Sequence, residues 1–353
     1  MSDTSFVKVN DSAVDGGMRR RTLLGGGAAS AALAFALGRL GEAHAAPVAA
    51  PTGGWGSGIR LRFFAGGNAG DAFASIVFNG AQQAQSDLGV AVDYVFSGWD
   101  VNMMTDQLRQ AIAAQPDGIA MMGHPGDDAL LPLAQQAHDA GVLMEYQNVD
   151  LPKVRQAYGG GYIGADLGPQ GRALGQTAVQ KFGLKSGDKA IVFGAWGQPG
   201  RFFREEGTAL ALEDAGVVVN RIVSPPAAGS DPNLLTPILT AAFLKDPDTK
   251  LICQAGGQTL STTPAYMQAI NKGPGEIVNI GYDLSPAIID AFAAGWVQLT
   301  SDQQPYLQGY LPILSLCLSK KFGFSPLTYD SGAGFVTPDN YQPVAELAKA
   351  GIR

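Results

Sequence analysis

Two polar side chains stand where apolar runs stop. Asp283 follows the apolar run 277–282, Gln303 follows the run 296–300, and a helix-like stretch, SPAIIDAFAAG, lies between them. A carboxylate and a primary amide each offer paired hydrogen-bond positions, which neighbouring hydroxyls of one molecule can fill together. Both side chains belong to a β-α-β unit that brings its strand ends to one edge, the edge at which open α/β sheets bind ligands. This pattern suits the holding of a neutral, hydroxyl-rich molecule such as a sugar or a polyol.

The elements that must position these groups read as a repeated alternation of strand and helix. Short β-like runs fall at 59–65, 90–96, 118–122, 142–147 and 162–165, with helices such as 73–88 and 101–114 between them. A second series has strands near 190–193, 217–223, 251–253, 277–282 and 297–299, and helices near 168–181, 202–215, 234–244 and 261–270. Such alternation predicts parallel sheets, here in two similar halves. No Pro/Gly linker of domain-joining length separates the halves near residue 166, so the crossing is tight and the halves share a hinge. Residues 46–58, rich in Gly and Pro and without periodicity, read as a flexible lead-in.

The segment 277–310 resembles the sugar-binding proteins of bacterial ABC importers, of the ribose- and galactose-binding type. These carry a G-[FY]-D motif and later Q-x-P, which read here Gly281-Tyr282-Asp283 and Gln303-Gln304-Pro305. A lone Gly-Tyr-Asp is a weak signal; the ordered pair across one β-α-β unit is a stronger one. The resemblance extends, with gaps, over about residues 59–321. It implies an α/β fold of two Rossmann-like lobes, each a parallel sheet flanked by helices, joined by a three-crossing hinge. The expected N-terminal lobe is 59–166 with 304–329, and the C-terminal lobe is 167–303 with 330–353.

By the same resemblance, the turn after the first strand would place Asp71 and Phe73 at the cleft, with Gly80-Ala81-Gln82 as the anchor. Asp71 stands where relatives carry an amide, and Phe73 could equally pack into the core. The fourth strand leads to Asn148, where the family usually has Asp, so the set of recognised hydroxyls would differ. Arg204 and Gly207 fit the spacing of the family's ligand-binding Arg, whose guanidinium fork holds two sugar oxygens; a surface ion pair with Glu205 or Glu206 is the alternative. Where relatives carry Asn-Asp, this chain has Gln254-Ala255-Gly256-Gly257-Gln258, so Gln258 is the candidate replacement, unless the glycines only make room.

The residues themselves add two more candidates. Trp99 follows the second strand and offers an aromatic face to the C–H surface of a sugar, with Asp100 as the N-cap of the next helix. His124 follows the third strand, ahead of Asp127 and Asp128, which read as helix-start carboxylates. The turn Gly66-Gly67-Asn68-Ala69-Gly70 invites a phosphate-cradle reading, but it lacks G-x-G-x-x-G spacing and any P-loop Lys-Ser/Thr.

The bulk numbers bound the function class. With 353 residues, 46% hydrophobic and 16% charged, the chain is long enough for two globular lobes. The net charge of −7, with no dense Lys/Arg run after residue 60, argues against nucleic acid or anionic lipid as a partner. The start carries Arg19-Arg20-Arg21-Thr22-Leu23-Leu24, a mildly apolar run to Leu37 and Ala43-His44-Ala45. This reads as a twin-arginine-type export signal over 1–45, cleaved after Ala45, with translation from Met18 as an open possibility. A free periplasmic monomer is expected. Cys253 and Cys317 lie in apolar runs and read as buried thiols rather than a disulfide, and the remaining histidines form no zinc-ligand cluster.

The expected function is therefore capture of a monosaccharide or sugar alcohol, pentose or polyol favoured, for an ABC permease. It requires no catalysis, cofactor or metal. Two rival readings are an exported ligand sensor for a receptor kinase and a cofactor-dependent exported oxidoreductase. The second lacks both a dinucleotide fingerprint and an acid-base constellation.

Overall fold

The structure is a computed structural model and describes residues 53–197, 202–229, 231–332 and 334–353; residues 1–45, expected to be an export leader, lie outside these. The first half runs β1 (Arg60–Gly66), α1 (Ala72–Leu88), β2 (Ala91–Phe96), α2 (Val101–Ala113), β3 (Gly118–Met122), α3 (Asp127–Asp139), β4 (Leu143–Gln147), α4 (Pro152–Tyr158) and β5 (Gly161–Gly164). The second half runs α5 (Leu167–Phe182), β6 (Lys189–Gly194), α6 (Phe203–Asp214), β7 (Val218–Val223), α7 (Leu235–Lys245), β8 (Thr249–Cys253) and α8 (Gly257–Leu260). It continues through α9 (Thr263–Ala269), β9 (Val278–Tyr282), α10 (Pro286–Ala293) and β10 (Leu299–Asp302). The chain ends with α11 (Pro305–Phe322), β11 (Thr328–Asp330), β12 (Gly334–Val336) and α12 (Gln342–Lys349).

These strands form two six-stranded sheets, ordered β2-β1-β3-β4-β5-β11 and β7-β6-β8-β9-β10-β12. Every pairing is parallel except β10 with β12. The chain passes between the sheets after β5, after β10 and after β11, so the fold is a two-lobe α/β architecture with three crossings. In both lobes the order reverses beside the first strand, which opens a crevice at the carboxyl edge. Helices cover both faces of a parallel sheet, so its central strands are apolar throughout: β3 reads GIAMM and is buried at every position. Helix α11 returns to the first lobe, packs on α1, and adds Ile313, Leu316 and Cys317 to that core. Both Cys253 and Cys317 are buried free thiols.

Three local expectations change. Residues 53–58, assigned to a flexible lead-in, dock on the first lobe: Gly56 N donates to Leu88 O at 2.7 Å and Trp55 packs on Phe322 with ring centroids 5.6 Å apart. The strand expected at 297–299 is displaced to Leu299–Asp302. Gly295 takes φ 77° and Trp296 N donates to Ala291 O at 2.8 Å, so residues 295–297 are spent closing α10. The strand is then built from polar residues that are buried and bonded, with Thr300 Oγ1 donating to Asp283 O (2.8 Å) and Gln170 Nε2 donating to Ser301 Oγ (2.9 Å).

The helix expected over 261–270 begins two residues later, as α9, and a separate short helix, α8, precedes it. Ser261 Oγ and Thr262 Oγ1 donate back to Gln258 O (2.6 Å) and Thr259 O (2.8 Å), while Pro264 begins the next helix. Hydroxyls bonded to the preceding turn compete with helix propagation.

One buried acid gives the first lobe a pH dependence. Glu145 on β4 is fully buried and accepts from Ser315 Oγ at 2.7 Å, and that serine accepts from Leu327 N at 2.9 Å near the third crossing. Burial pushes its pKa up from 4.5 to about 8, against the smaller opposing effects of the Ser315 hydrogen bond and the Arg155 charge. Between those values the folded state retains a proton that the unfolded chain releases, so stability falls as pH rises, by about 1.4 kcal/mol per pH unit at most. Melting temperature measured from pH 5 to pH 8 should decline in the wild type, and Glu145→Gln should flatten that slope.

Candidate functional site

Between the two carboxyl edges lies a cavity of about 580 Å³, to which the loop after each of the first four strands of both lobes contributes. Its lining includes Phe73, Trp99, His124 and Asn148 from the first lobe, and Arg204, Gln258 and Asp283 from the second, with Gln303 at the second crossing. Eight of the nine residues expected to meet ligand therefore converge here. Asp71 is not in the lining. Its Oδ2 accepts from Trp99 Nε1 at 3.1 Å and from Asn68 N at 2.7 Å, so it orients the indole.

The first-lobe wall is aromatic. Trp99 sits between Phe73 and His124, with ring centroids 5.9 and 5.1 Å away. The backbone beneath the indole is bare: a Cβ on Gly66 would lie 2.5 Å from Trp99 Cζ3, and one on Gly67 would lie 2.7 Å from Trp99 Nε1. The Gly-rich turn thus admits a tryptophan, which accounts for it without a phosphate. Phe73 is both buried and cavity-lining, so core packing and ligand contact are not exclusive. Asp100 caps α2 through Asn102 N and Met103 N, at 2.9 and 2.8 Å.

The second-lobe wall is polar and charged. Arg204, at the start of α6, lies over the Tyr282 ring with Cζ 4.1 Å from the centroid. Its Nη2 donates to Ala255 O and its Nε pairs with Glu205 at 3.5 Å. Tyr282 Oη donates to Arg204 O at 3.1 Å and is 2.6 Å from Thr208 Oγ1. The Gly207 spacing has a packing cause: a Cβ there would come within 2.4 Å of Gly168 O, so only glycine lets α6 settle on α5 with Arg204 aimed into the cleft. Of the ion-pair alternative, the partner Glu205 is found but largely buried rather than at the surface, while Glu206 bonds Arg221 instead, at 3.3 Å. Burial acts against the Arg204 charge, but Glu205, Asp283 and Tyr282 outweigh it and raise its pKa further.

Asp283 is buried, with both oxygens engaged. Oδ1 accepts from Gln303 Nε2 at 2.6 Å and Oδ2 from Gly257 N at 3.0 Å. Burial raises its pKa, opposed by Arg204, Gln303 and the Gly257 amide. Gln303 also accepts from Asn148 Nδ2 at 3.2 Å, and Asn148 donates in turn to Gln308 Oε1 at 3.0 Å. A bridge Asn148–Gln303–Asp283 thereby joins the lobes through the crossing. Asn148 and Asp283 occupy equivalent places, each just past the fourth strand of its lobe, with φ of 67° and 71°. Of the six non-glycine residues with positive φ among the described residues, Trp99, Asn148, Asp283 and Gln304 are all at this cleft or its crossing. Such conformations concentrate at functional sites.

Gln308 and Ser331 escaped the sequence reading. Gln308 Nε2 donates to Gln303 O at 3.0 Å and to Ser331 Oγ at 3.2 Å, and so fixes the glutamine that bridges the lobes. The only available signal was a glutamine five residues after Gln303 on an otherwise apolar helix face. Among the described residues no group of His, Cys, Asp or Glu is placed to hold a metal ion, and no helix is long and apolar enough to cross a membrane.

Comparison with known proteins agrees with this fold. Residues 63–318 match the periplasmic binding protein domain, and the chain belongs to that family. It is 30% identical over 261 residues to the xylose/arabinose-binding protein XylF of Sulfolobus acidocaldarius, a match covering 69% of this chain and 62% of that protein's length. Among solved structures, it resembles a carbohydrate transporter from Acidothermus cellulolyticus in complex with myo-inositol, with a TM-score of 0.72, 21% identity, and coverage of 84% of this chain and 99% of the other. A solute-binding protein from Burkholderia graminis in complex with D-arabinose superposes with a TM-score of 0.72 at 19% identity, over 81% of this chain and 98% of the other.

Replacing Gln303 with Leu removes a donor to Asp283 and an acceptor from Asn148, leaving buried polar groups under-satisfied. The expected loss is about 1–3 kcal/mol of unfolding free energy, to be read from urea denaturation.

Proposed function

We propose that this chain is a periplasmic solute-binding protein that captures a neutral monosaccharide or sugar alcohol, a pentose or polyol favoured, and hands it to an ABC permease. The observation that carries this reading is the cavity with an aromatic wall on one lobe and the Arg204–Asp283 set on the other. An apolar ring face covers the C–H surface of a sugar, while a guanidinium and a carboxylate take its hydroxyls as acceptors and donors. The kinship with a xylose/arabinose-binding protein supports the same ligand class. Export with cleavage after Ala45 and a monomeric state belong to this reading.

Binding then follows from the geometry. Among the described residues each Asp283 oxygen has one donor, which leaves lone-pair capacity for a ligand hydroxyl. Arg204, spread over Tyr282 and tied to Ala255 O, is held in place before ligand arrives. A sugar resting on Trp99 and bonded to Asp283 and Arg204 ties one lobe to the other, which favours a closed arrangement of the hinge over an open one. No bond of the ligand is broken, so the cleft acts as a receptor and not as a catalyst.

Thermal-shift and calorimetric titration of mature protein with D-xylose, L-arabinose, D-galactose and myo-inositol should yield at least one ligand of micromolar affinity. Asp283→Ala and Arg204→Ala should each weaken it by about 100-fold, the worth of a charged hydrogen bond of about 3 kcal/mol. Absence of binding to every neutral polyol would overturn the reading. Small-angle scattering should show a smaller radius of gyration with ligand than without, which tests closure directly.

A further inference from the structure

Gly256 and Gly257 precede and open α8 beside Asp283, and they do different things. A Cβ on Gly257 would lie 3.0 Å from Asp283 Cβ, so this position is bare because its amide must approach the carboxylate, to which it donates. Gly256 is under no such pressure. Among the described residues, a Cβ there would have two neighbours within 4 Å beyond the adjacent residues, Asp283 Oδ2 at 3.8 Å and Arg204 Nη2 at 3.9 Å, both ordinary contact distances. Its φ of −178° is extended backbone open to any residue. Neither the backbone nor packing among the described residues demands glycine at 256, yet a side chain there would project between the two charged groups of the cleft. Arg204 pairs with Glu205 and Ala255 O, so the space between it and Asp283 is not closed by an ion pair of their own.

We propose that Gly256 is a specificity-determining position. Its bare backbone leaves a notch beside Asp283 and Arg204 that admits a ring substituent a pentopyranose lacks: the hydroxymethyl of a hexopyranose or the sixth hydroxyl-bearing carbon of a cyclitol. The inference rests on the sugar-binding reading of the cleft and extends its ligand class from pentoses to six-carbon rings. A hydroxyl in the notch has a carboxylate oxygen to donate to and a guanidinium N–H to accept from, and both are already fixed by the protein. A methyl group in the same place offers neither and takes the room.

The test uses matched sugars that differ only in that substituent, D-xylose against D-glucose and L-arabinose against D-galactose, together with myo-inositol. Calorimetric titrations are run on wild type, Gly256→Ala and Gly256→Val, with melting temperatures confirming that the variants fold. The wild type is expected to bind a six-carbon member at least as tightly as its pentose partner. Gly256→Ala should weaken the six-carbon ligand by about 10-fold and the pentose by less than about 2-fold, with a larger gap for Gly256→Val, as for a pocket that gains one or more methyl groups. Equal loss for both members of a pair, no loss for either, or a wild type that accepts pentoses and rejects every six-carbon ring would overturn the notch while leaving the sugar-binding reading intact. A wild type that binds none of these sugars would overturn that reading and the notch with it.

Discussion

The cleft depends on one run of hydrogen bonds, from Asn148 through Gln303 to Asp283. It joins the ends of two strands in different sheets through a residue at a crossing, so it sets both the spacing of the lobes and the orientation of the groups that face the cavity. A buried carboxylate without donors would be costly, and Gln303 and the Gly257 amide offset that cost. An amide suits the middle position because it donates to the carboxylate with one end and accepts from Asn148 with the other. Gln308, itself bonded to Ser331, then donates to both the backbone oxygen and the side-chain Oε1 of Gln303, which keeps a flexible side chain in the geometry that the bridge needs.

On either side of this bridge the two lobes divide the work. The first supplies surface: Phe73, Trp99 and His124 form a continuous aromatic wall, with Asp71 turned away from the cavity to hold the indole. The second supplies charge: Arg204 sits over the Tyr282 ring and Asp283 is anchored at both oxygens. The repeated strand order explains how two such different walls come to face each other. Loops at the same carboxyl edge of two like sheets are brought together by the crossings, and each is free to carry its own chemistry.

Much of this was legible in the chain. The alternation of apolar runs and helical patterns placed most strands within a few residues, because central strands of a parallel sheet are buried on both faces and read as continuous hydrophobic stretches. It failed at β10, where the buried residues are Thr, Ser and Asp, and at β11 and β12, which have three residues each. Their stability comes from partners distant in sequence, among them Gln170 on Ser301 and Arg353 on Asp302, and no local pattern encodes those. Asp71 shows the same limit in the site: its type and position suited ligand, but Trp99, 28 residues on, takes its carboxylate.

The sequence alone therefore determined the class of the fold and the edge at which function sits, since both follow from periodicities and from polar residues placed just after apolar runs. Only the tertiary structure decided which of those polar residues meet in one cavity, which are consumed in holding others, and which glycines are bare for packing and which for room. Gly256 and Gly257 are adjacent and identical in the chain, and they differ in backbone conformation and in how closely Asp283 approaches them. That difference arises from the approach of β9 and its Asp283 to α8, a contact made by folding between segments that carry no trace of each other in their own residues.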